Sequence, residues 1–233
     1  MRFALPRAAT ALLAVLRDGR SARRVLLDAE LERLAPLMGG PVLEIGNGRC
    51  GRRGAFRPPP HVAGWLYVDL RMHASPHACA DVMSLPFGDQ LFETVLCLEV
   101  LEYVASPKAA LGEMSRVLRD GGTLIMSTPY STRPDTATDC WRFTANGLRH
   151  LAGSVGFEVT RLSEQGSVVS TLLHMCRSFN HGSAWRRRLV AWLTTPAFRV
   201  LLAFDGSSTT STATIGGYTT GYVLVASKSR EGL

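Results

Sequence analysis

Lysine is almost missing from this chain: arginine supplies 24 of the 26 cations, and only Lys108 and Lys228 break the pattern. A bias of that kind fits a GC-rich genome better than selection for phosphate contacts. The net charge of +7 and the sequence pI of 9.6 therefore point only weakly to nucleic acid. Cysteine is scarce too: five residues, an odd number, with no CxxC pair, which excludes a disulfide framework and a thiolate zinc ribbon. A reduced cytoplasmic setting with unpaired, mostly buried thiols is expected. No apolar run approaches eighteen residues, so no membrane span is expected. Arg2 and Arg7 ahead of Ala8–Leu16 imitate a secretory leader. The run is short, though, with Arg17, Arg20, Arg23 and Arg24 directly behind it and no small-residue cleavage site, so an amphipathic helix is expected there. No spacing of His, Cys and carboxylates matches a metal site, and no repeat is visible.

What is present begins at residues 41–51, Pro-Val-Leu-Glu-Ile-Gly-Asn-Gly-Arg-Cys-Gly. A buried parallel strand runs there into a glycine-rich turn, whose backbone can approach a ligand where a Cβ would clash. About twenty residues on, Trp65–Val68 ends at Asp69, an acid placed to accept from ribose hydroxyls. Helical spacing covers Val25–Leu37 and stops at Gly39-Gly40. Strands are predicted at 42–45, 65–68, 77–80, 94–98, 123–127, 157–162 and 222–226. Helices are predicted over Pro107–Leu118, stopped by Asp120-Gly121-Gly122, and from Thr144 to about Gly153–Gly156, with 168–204 helical in character. Three consecutive prolines, Pro58–Pro60, leave room for only a short helix, or none, after the first strand. The pattern predicts an α/β fold: a mostly parallel sheet with helices on both faces. It predicts a single domain over 1–233, with a helical cap at 1–40. A dinucleotide reading is weaker, because the full G-x-G-x-x-G and the helix that would receive a pyrophosphate are missing.

Residues 42–163 resemble the class I S-adenosylmethionine-dependent methyltransferases. Glu44-Ile-Gly46-Asn47-Gly48 resembles their first motif, and Asp69 falls at their ribose-binding acid. Ala80-Asp81-Val82-Met-Ser-Leu-Pro-Phe87 resembles the segment that meets adenine. Leu98-Glu99-Val-Leu-Glu102-Tyr103-Val104 resembles an "EVLEH" stretch with tyrosine for histidine, and Leu118-Arg-Asp-Gly-Gly122 resembles an "LKPGG" turn. The resemblance implies S-adenosylmethionine as cofactor and a Rossmann-like, seven-stranded, mostly parallel sheet with a closing antiparallel hairpin, between whose strands a helical insertion at 164–217 covers the acceptor site. It places Glu44, Gly46, Asn47, Gly48, Asp69, Leu70, Asp81, Val82 and Leu98 around that cofactor, with no metal.

Methyl transfer from a sulfonium is an in-line displacement, and a hydroxyl acceptor must lose its proton as the new bond forms. Groups able to assist must come from loops at the carboxyl ends of the strands. The candidates are Glu102, Tyr103 and Asp139 for catalysis, and Tyr130, Trp141 and Arg142 for the acceptor. Asp139-Cys-Trp-Arg-Phe-Thr144 resembles a "DYWRFT" signature of a subset of these enzymes often connected with saccharides. Trp141 and Arg142 read equally as a sugar-binding pair and as loop packing; for Phe143 and Thr144 packing and capping lead. The expected activity is methylation of a small molecule, foremost a sugar or glycoside hydroxyl, in a bacterial cytoplasm. Two alternatives stay open: a small-molecule N- or C-methyltransferase, and a non-catalytic adenosyl-binding scaffold. The amphipathic 184–204 segment fits a lid or homodimer helix first, peripheral membrane contact second and nucleic acid last.

Overall fold

The computed structural model describes residues 21–46, 54–72, 75–132, 134, 136–178 and 218–229. Asn47, Gly48, the Ala8–Leu16 helix and the 184–204 segment therefore lie outside the described residues. Seven strands form one sheet in the order β3-β2-β1-β4-β5-β7-β6. They are β1 (Val42–Ile45), β2 (Trp65–Asp69), β3 (Ala78–Cys79), β4 (Phe92–Leu98), β5 (Leu118–Pro129), β6 (Phe157–Glu164) and β7 (Gly221–Lys228). β1 to β5 pair in parallel, and β7 runs antiparallel to both β5 and β6. This is the expected Rossmann-like sheet with its closing hairpin.

Alternation along the strands divides the core in two. Leu43, Ile45, Val95, Cys97, Leu124, Met126 and Leu224 meet Leu111 and Met114 of helix α2 (Pro107–Val117) and Leu148 and Ala152 of helix α3 (Ala145–Gly153). Val42, Leu96, Leu98, Ile125, Val223 and Val225 face the other way, onto Leu27, Leu31 and Leu34 of helix α1 (Ala22–Leu34). Helices thus cover both faces. Side-chain caps fix three helix starts: the Ser21, Ser106 and Thr144 hydroxyls accept from the N–H groups of Arg24, Ala109 and Gly147. Helix α4 (Val168–Ser178) follows β6, and residue 166 just before it lies against Leu26 of α1.

Two local expectations change, and a third holds over the described residues. Asp120-Gly121-Gly122 does not end α2, which stops at Val117. The chain is already extended from Leu118, and a register shift between Phe92 and Thr94 on the partner strand absorbs the Gly121 turn at φ +74°. No helix occupies 54–64; instead the Asp28 carboxylate accepts from the Ala55 and Phe56 N–H groups at 2.7 and 3.4 Å. Phe56 then fills the α1-side core, as the proline run requires. The thiols are not mostly buried among the described residues. Cys97 is inside β4, but Cys79 sits on the sheet-edge strand and Cys140 in a loop, both exposed. Among the described residues no helix is long and apolar enough to cross a membrane.

Candidate functional site

Parallel register brings the carboxyl ends of the first four strands level. Ile45 is opposite Val68 on one side and Cys97 on the other, while Asp69 is opposite Cys79. The Gly46 N–H continues the ladder to the Val68 oxygen at 2.8 Å, so the turn after β1 and the acid after β2 are adjacent. Gly46 has φ +83°, and a Cβ there would lie 2.1 Å from Val100 Cγ2, so glycine is required on both counts. At the next tip, Asp69 Oδ1 accepts from the Arg71 N–H at 2.8 Å. Leu70 is two-thirds exposed beside it. Asp81 Oδ1 accepts from the Met83 N–H at 2.8 Å, and Val82 is buried. Neither Asp69 nor Asp81 has a second carboxylate oxygen engaged among the described residues, and the Val82 N–H has no protein acceptor there. Glu44 differs: its carboxylate is 2 % exposed and accepts from Trp65 Nε1 at 2.8 Å, which turns it into the α1-side layer.

The fit to an adenosyl ligand rests on these groups. An open carboxylate edge at Asp69 suits a ribose diol. An open carboxylate and an unpaired N–H at Asp81–Val82 suit an adenine edge.

Beyond Leu98 the chain turns sharply. Glu99 takes φ +60°, a left-handed conformation that costs a non-glycine residue about 1–2 kcal/mol. Three contacts hold it: its N–H donates to the Ser127 oxygen at 3.0 Å, Ser127 Oγ donates to its Oε1 at 2.8 Å, and Arg23 of α1 forms an ion pair with Oε2. The turn drives the following Leu101–Tyr103 3-10 turn inward, leaving Glu102 1 % exposed with Oε2 lacking a hydrogen-bond partner among the described residues. Burial, and next the Glu99 charge, push the Glu102 carboxyl up to about 8. Tyr103, by contrast, stands at the surface.

The loop after β5 docks on that turn. The Cys140 and Trp141 N–H groups donate to the Glu102 carbonyl at 2.8 and 3.2 Å, and Trp141 Nε1 donates to the Val104 carbonyl at 2.8 Å. Arg142 grips Asp139 with both terminal nitrogens and donates Nη1 to the Trp141 carbonyl at 2.7 Å. Asp139 is therefore an acceptor for arginine with a nearly buried side chain, and the Arg142 fork is committed to its own loop. Trp141 also stacks on Phe143 with ring centroids 6.2 Å apart, yet stays 40 % exposed. Tyr130 packs edge-on against Tyr222 at the end of β5, on the α2 side of the sheet. Thr144 caps α3, as its position implied.

The structure thus gathers Glu102, Asp139, Trp141 and Arg142 in one place, with Tyr130 at the neighbouring strand end. It adds residues that the sequence did not single out: Arg23, Glu99 and Ser127. An acid directly after the apolar run 94–98 was the one available signal for Glu99; the others become neighbours only through pairing distant in sequence. Among the described residues no group of three or more His, Cys, Asp and Glu is arranged to hold a metal ion.

Residues 67–126 match the model of a methyltransferase domain family. An uncharacterised protein of Methanocaldococcus jannaschii is 48 % identical over 92 residues, 36 % of this chain and 39 % of its own length. The demethylmenaquinone methyltransferase of Mycobacterium tuberculosis is 46 % identical over 65 residues, 27 % of this chain and 28 % of its own. The chain thus spans well under half the length of these curated relatives. Among solved structures, the Burkholderia thailandensis 1,6-didemethyltoxoflavin-N1-methyltransferase with bound S-adenosylhomocysteine aligns at a TM-score of 0.51 and 16 % identity. That alignment covers 99 % of this chain and 93 % of that one, and it shows a shared fold. Sheet order and strand-tip geometry agree with these likenesses: the chain has the Rossmann-like methyltransferase fold, and its residues 67–126 are similar to a methyltransferase domain.

Proposed function

We propose that the protein transfers a methyl group from S-adenosylmethionine to a small-molecule acceptor whose nucleophilic atom gives up a proton. The observation that carries this reading is the buried Glu102 carboxyl, with an open oxygen and a proton affinity near neutrality, immediately beyond the strand tips that fit an adenosyl group. When bound, the cofactor supplies an electrophilic methyl group on a positively charged sulfur.

Each residue then has a task. Gly46 keeps the cradle open, Asp69 accepts from the ribose hydroxyls, and Asp81 with the Val82 N–H receives the adenine edge. Leu98 closes the floor at the end of β4. Glu102 takes the acceptor's proton, which a hydroxyl or an acidic carbon must release and an amine lone pair need not release first. The Asp139–Arg142 pair serves Glu102 indirectly: it fixes the loop whose N–H groups hold the Glu102 carbonyl, and its acid raises the Glu102 proton affinity further. Asp139 is thus a positioning residue in this proposal, and Trp141 offers its exposed face to the acceptor. The saccharide acceptor rests on the resemblance of residues 139–144 alone. The demethylmenaquinone methyltransferase relative favours a wider class, hydroxyl- and keto-bearing small molecules, within which a glycoside is one member.

Calorimetry with S-adenosylhomocysteine tests the cofactor half. Tight binding to the wild-type protein is expected, and Asp69→Ala should weaken it roughly ten- to hundredfold, the range for losing hydrogen bonds to a charged acceptor. An unchanged affinity would move the ribose elsewhere. Absence of binding to the wild type would remove the methyltransferase reading.

A further inference from the structure

We infer that Gln165 and Thr171, with Arg23, form a polar subsite between α1, α4 and the end of β5 that binds a neutral oxygen-bearing group of the acceptor, a hydroxyl or keto oxygen. This inference rests on the methyltransferase reading and names the residues that recognise its substrate.

Both side chains are nine-tenths or more buried, Gln165 and Thr171 each 3 % exposed. Neither the Gln165 amide oxygen, nor its nitrogen, nor the Thr171 hydroxyl has a hydrogen-bond partner among the described residues, and the same holds for Arg23 Nη1. Four buried polar atoms without partners carry a desolvation cost that a folded chain normally avoids. Here the cost is maintained by construction. The Gln165 carbonyl accepts from Thr219 Oγ1, Thr220 Oγ1 and the Thr220 N–H at 3.0, 2.8 and 3.1 Å, while the Gln165 N–H donates to the Gly221 oxygen at 2.8 Å. The backbone is locked and the amide is left open.

Gly221 provides the room. A Cβ at that position would lie 2.9 Å from Gln165 Oε1 and 2.5 Å from the Thr128 carbonyl. Register then fixes the neighbourhood. Gly221 pairs with Pro129, two residues beyond Ser127 on the same strand face, and Ser127 carries Glu99 and through it Arg23. Residue 166 abuts Leu26, one helical turn from Arg23. The amide therefore opens toward the end of the sheet where Glu99 leads into Glu102. Glu99 already neutralises Arg23, so the atoms left open are a donor–acceptor set suited to an uncharged group rather than an anion.

Apolar isosteres distinguish a ligand site from a structural one. Thr171→Val and Gln165→Met remove unpaired polar atoms, so each should raise the Tm of the ligand-free protein while leaving S-adenosylhomocysteine affinity unchanged. A lower Tm in both variants would mean that those atoms already have partners, and would overturn the inference. On wild-type protein saturated with S-adenosylhomocysteine, methyl α-D-glucopyranoside and 1,4-dihydroxynaphthalene probe the two sources of such oxygens, a glycoside and a hydroquinone. At least one should bind, and its affinity should fall tenfold or more in both variants. Binding of neither, or equal binding to wild type and variants, would also overturn it. Failure of S-adenosylhomocysteine itself to bind sinks the underlying reading instead, so the two failures are separable.

Discussion

Glu102→Gln is expected to lower kcat by about 10²–10⁴-fold, the usual contribution of a positioned proton acceptor, while leaving cofactor affinity within a factor of two or so. Glutamine keeps the size and the neutral hydrogen-bonding character of the protonated acid, so residues 139–142 stay docked through the residue-102 carbonyl. What is lost is the ability to take a proton. Because the carboxyl is pushed up to about 8, wild-type kcat should rise with pH and level off above that value, whereas the residual activity of the glutamine variant should lack that ionisation. Stability gives an independent readout of opposite sign. A carboxyl whose folded-state pKa is raised stabilises the protein fully below its ordinary range and progressively less as pH rises through about 8. Wild-type Tm should therefore fall relative to Glu102→Gln between pH 5 and 9. A variant with normal turnover would show that the acceptor's proton leaves by another route. Equal pH–stability curves would show that Glu102 is not held protonated.

Gly46→Ala should abolish measurable S-adenosylhomocysteine binding and destabilise the fold by about 2–4 kcal/mol, from two separable causes. One is the methyl group itself, which would arrive 2.1 Å from Val100 Cγ2, a short branched side chain with little freedom to withdraw. The other is φ +83°, which no alanine holds without strain. The double variant Gly46→Ala/Val100→Ala should recover the steric part of the stability loss but not the backbone part, so cofactor binding stays weak. Full recovery of binding would mean that the left-handed turn is dispensable, and that the cradle is shaped by sterics alone. Thermal denaturation read beside calorimetry separates the two contributions.

The parallel core was legible because its signals are local. Each of the strands β1, β2 and β4 is an apolar run ending on a glycine or an acid, and Ser106-Pro107 and Thr144 announce their helices by capping chemistry. Asp69 and Asp81 could be named for the same reason. Glu102 was named from motif resemblance, but its burial follows from the left-handed turn at Glu99, which no propensity indicates because a glutamate rarely adopts it. Arg142 reads from the sequence equally as a substrate-binding cation and as loop packing; in the structure Asp139, three residues earlier, occupies both ends of its fork. Gln165 and Thr171 were out of reach altogether. The Gln165 neighbours Thr219, Thr220 and Gly221 come from the antiparallel pairing of β6 and β7, which lie more than fifty residues apart along the chain.

Helix α1 touches both halves of the site: Asp28 fastens the segment that replaces the missing helix after β1, and Arg23 fastens the turn after β4. Two tips that most frameworks would steady separately here share one brace, so the occupancy of each is linked through the docking of that brace. Amide hydrogen exchange should register this directly. Saturating S-adenosylhomocysteine should slow exchange throughout 22–34 as well as at the strand ends, and shaving Asp28 to alanine should loosen the turn that carries Glu102.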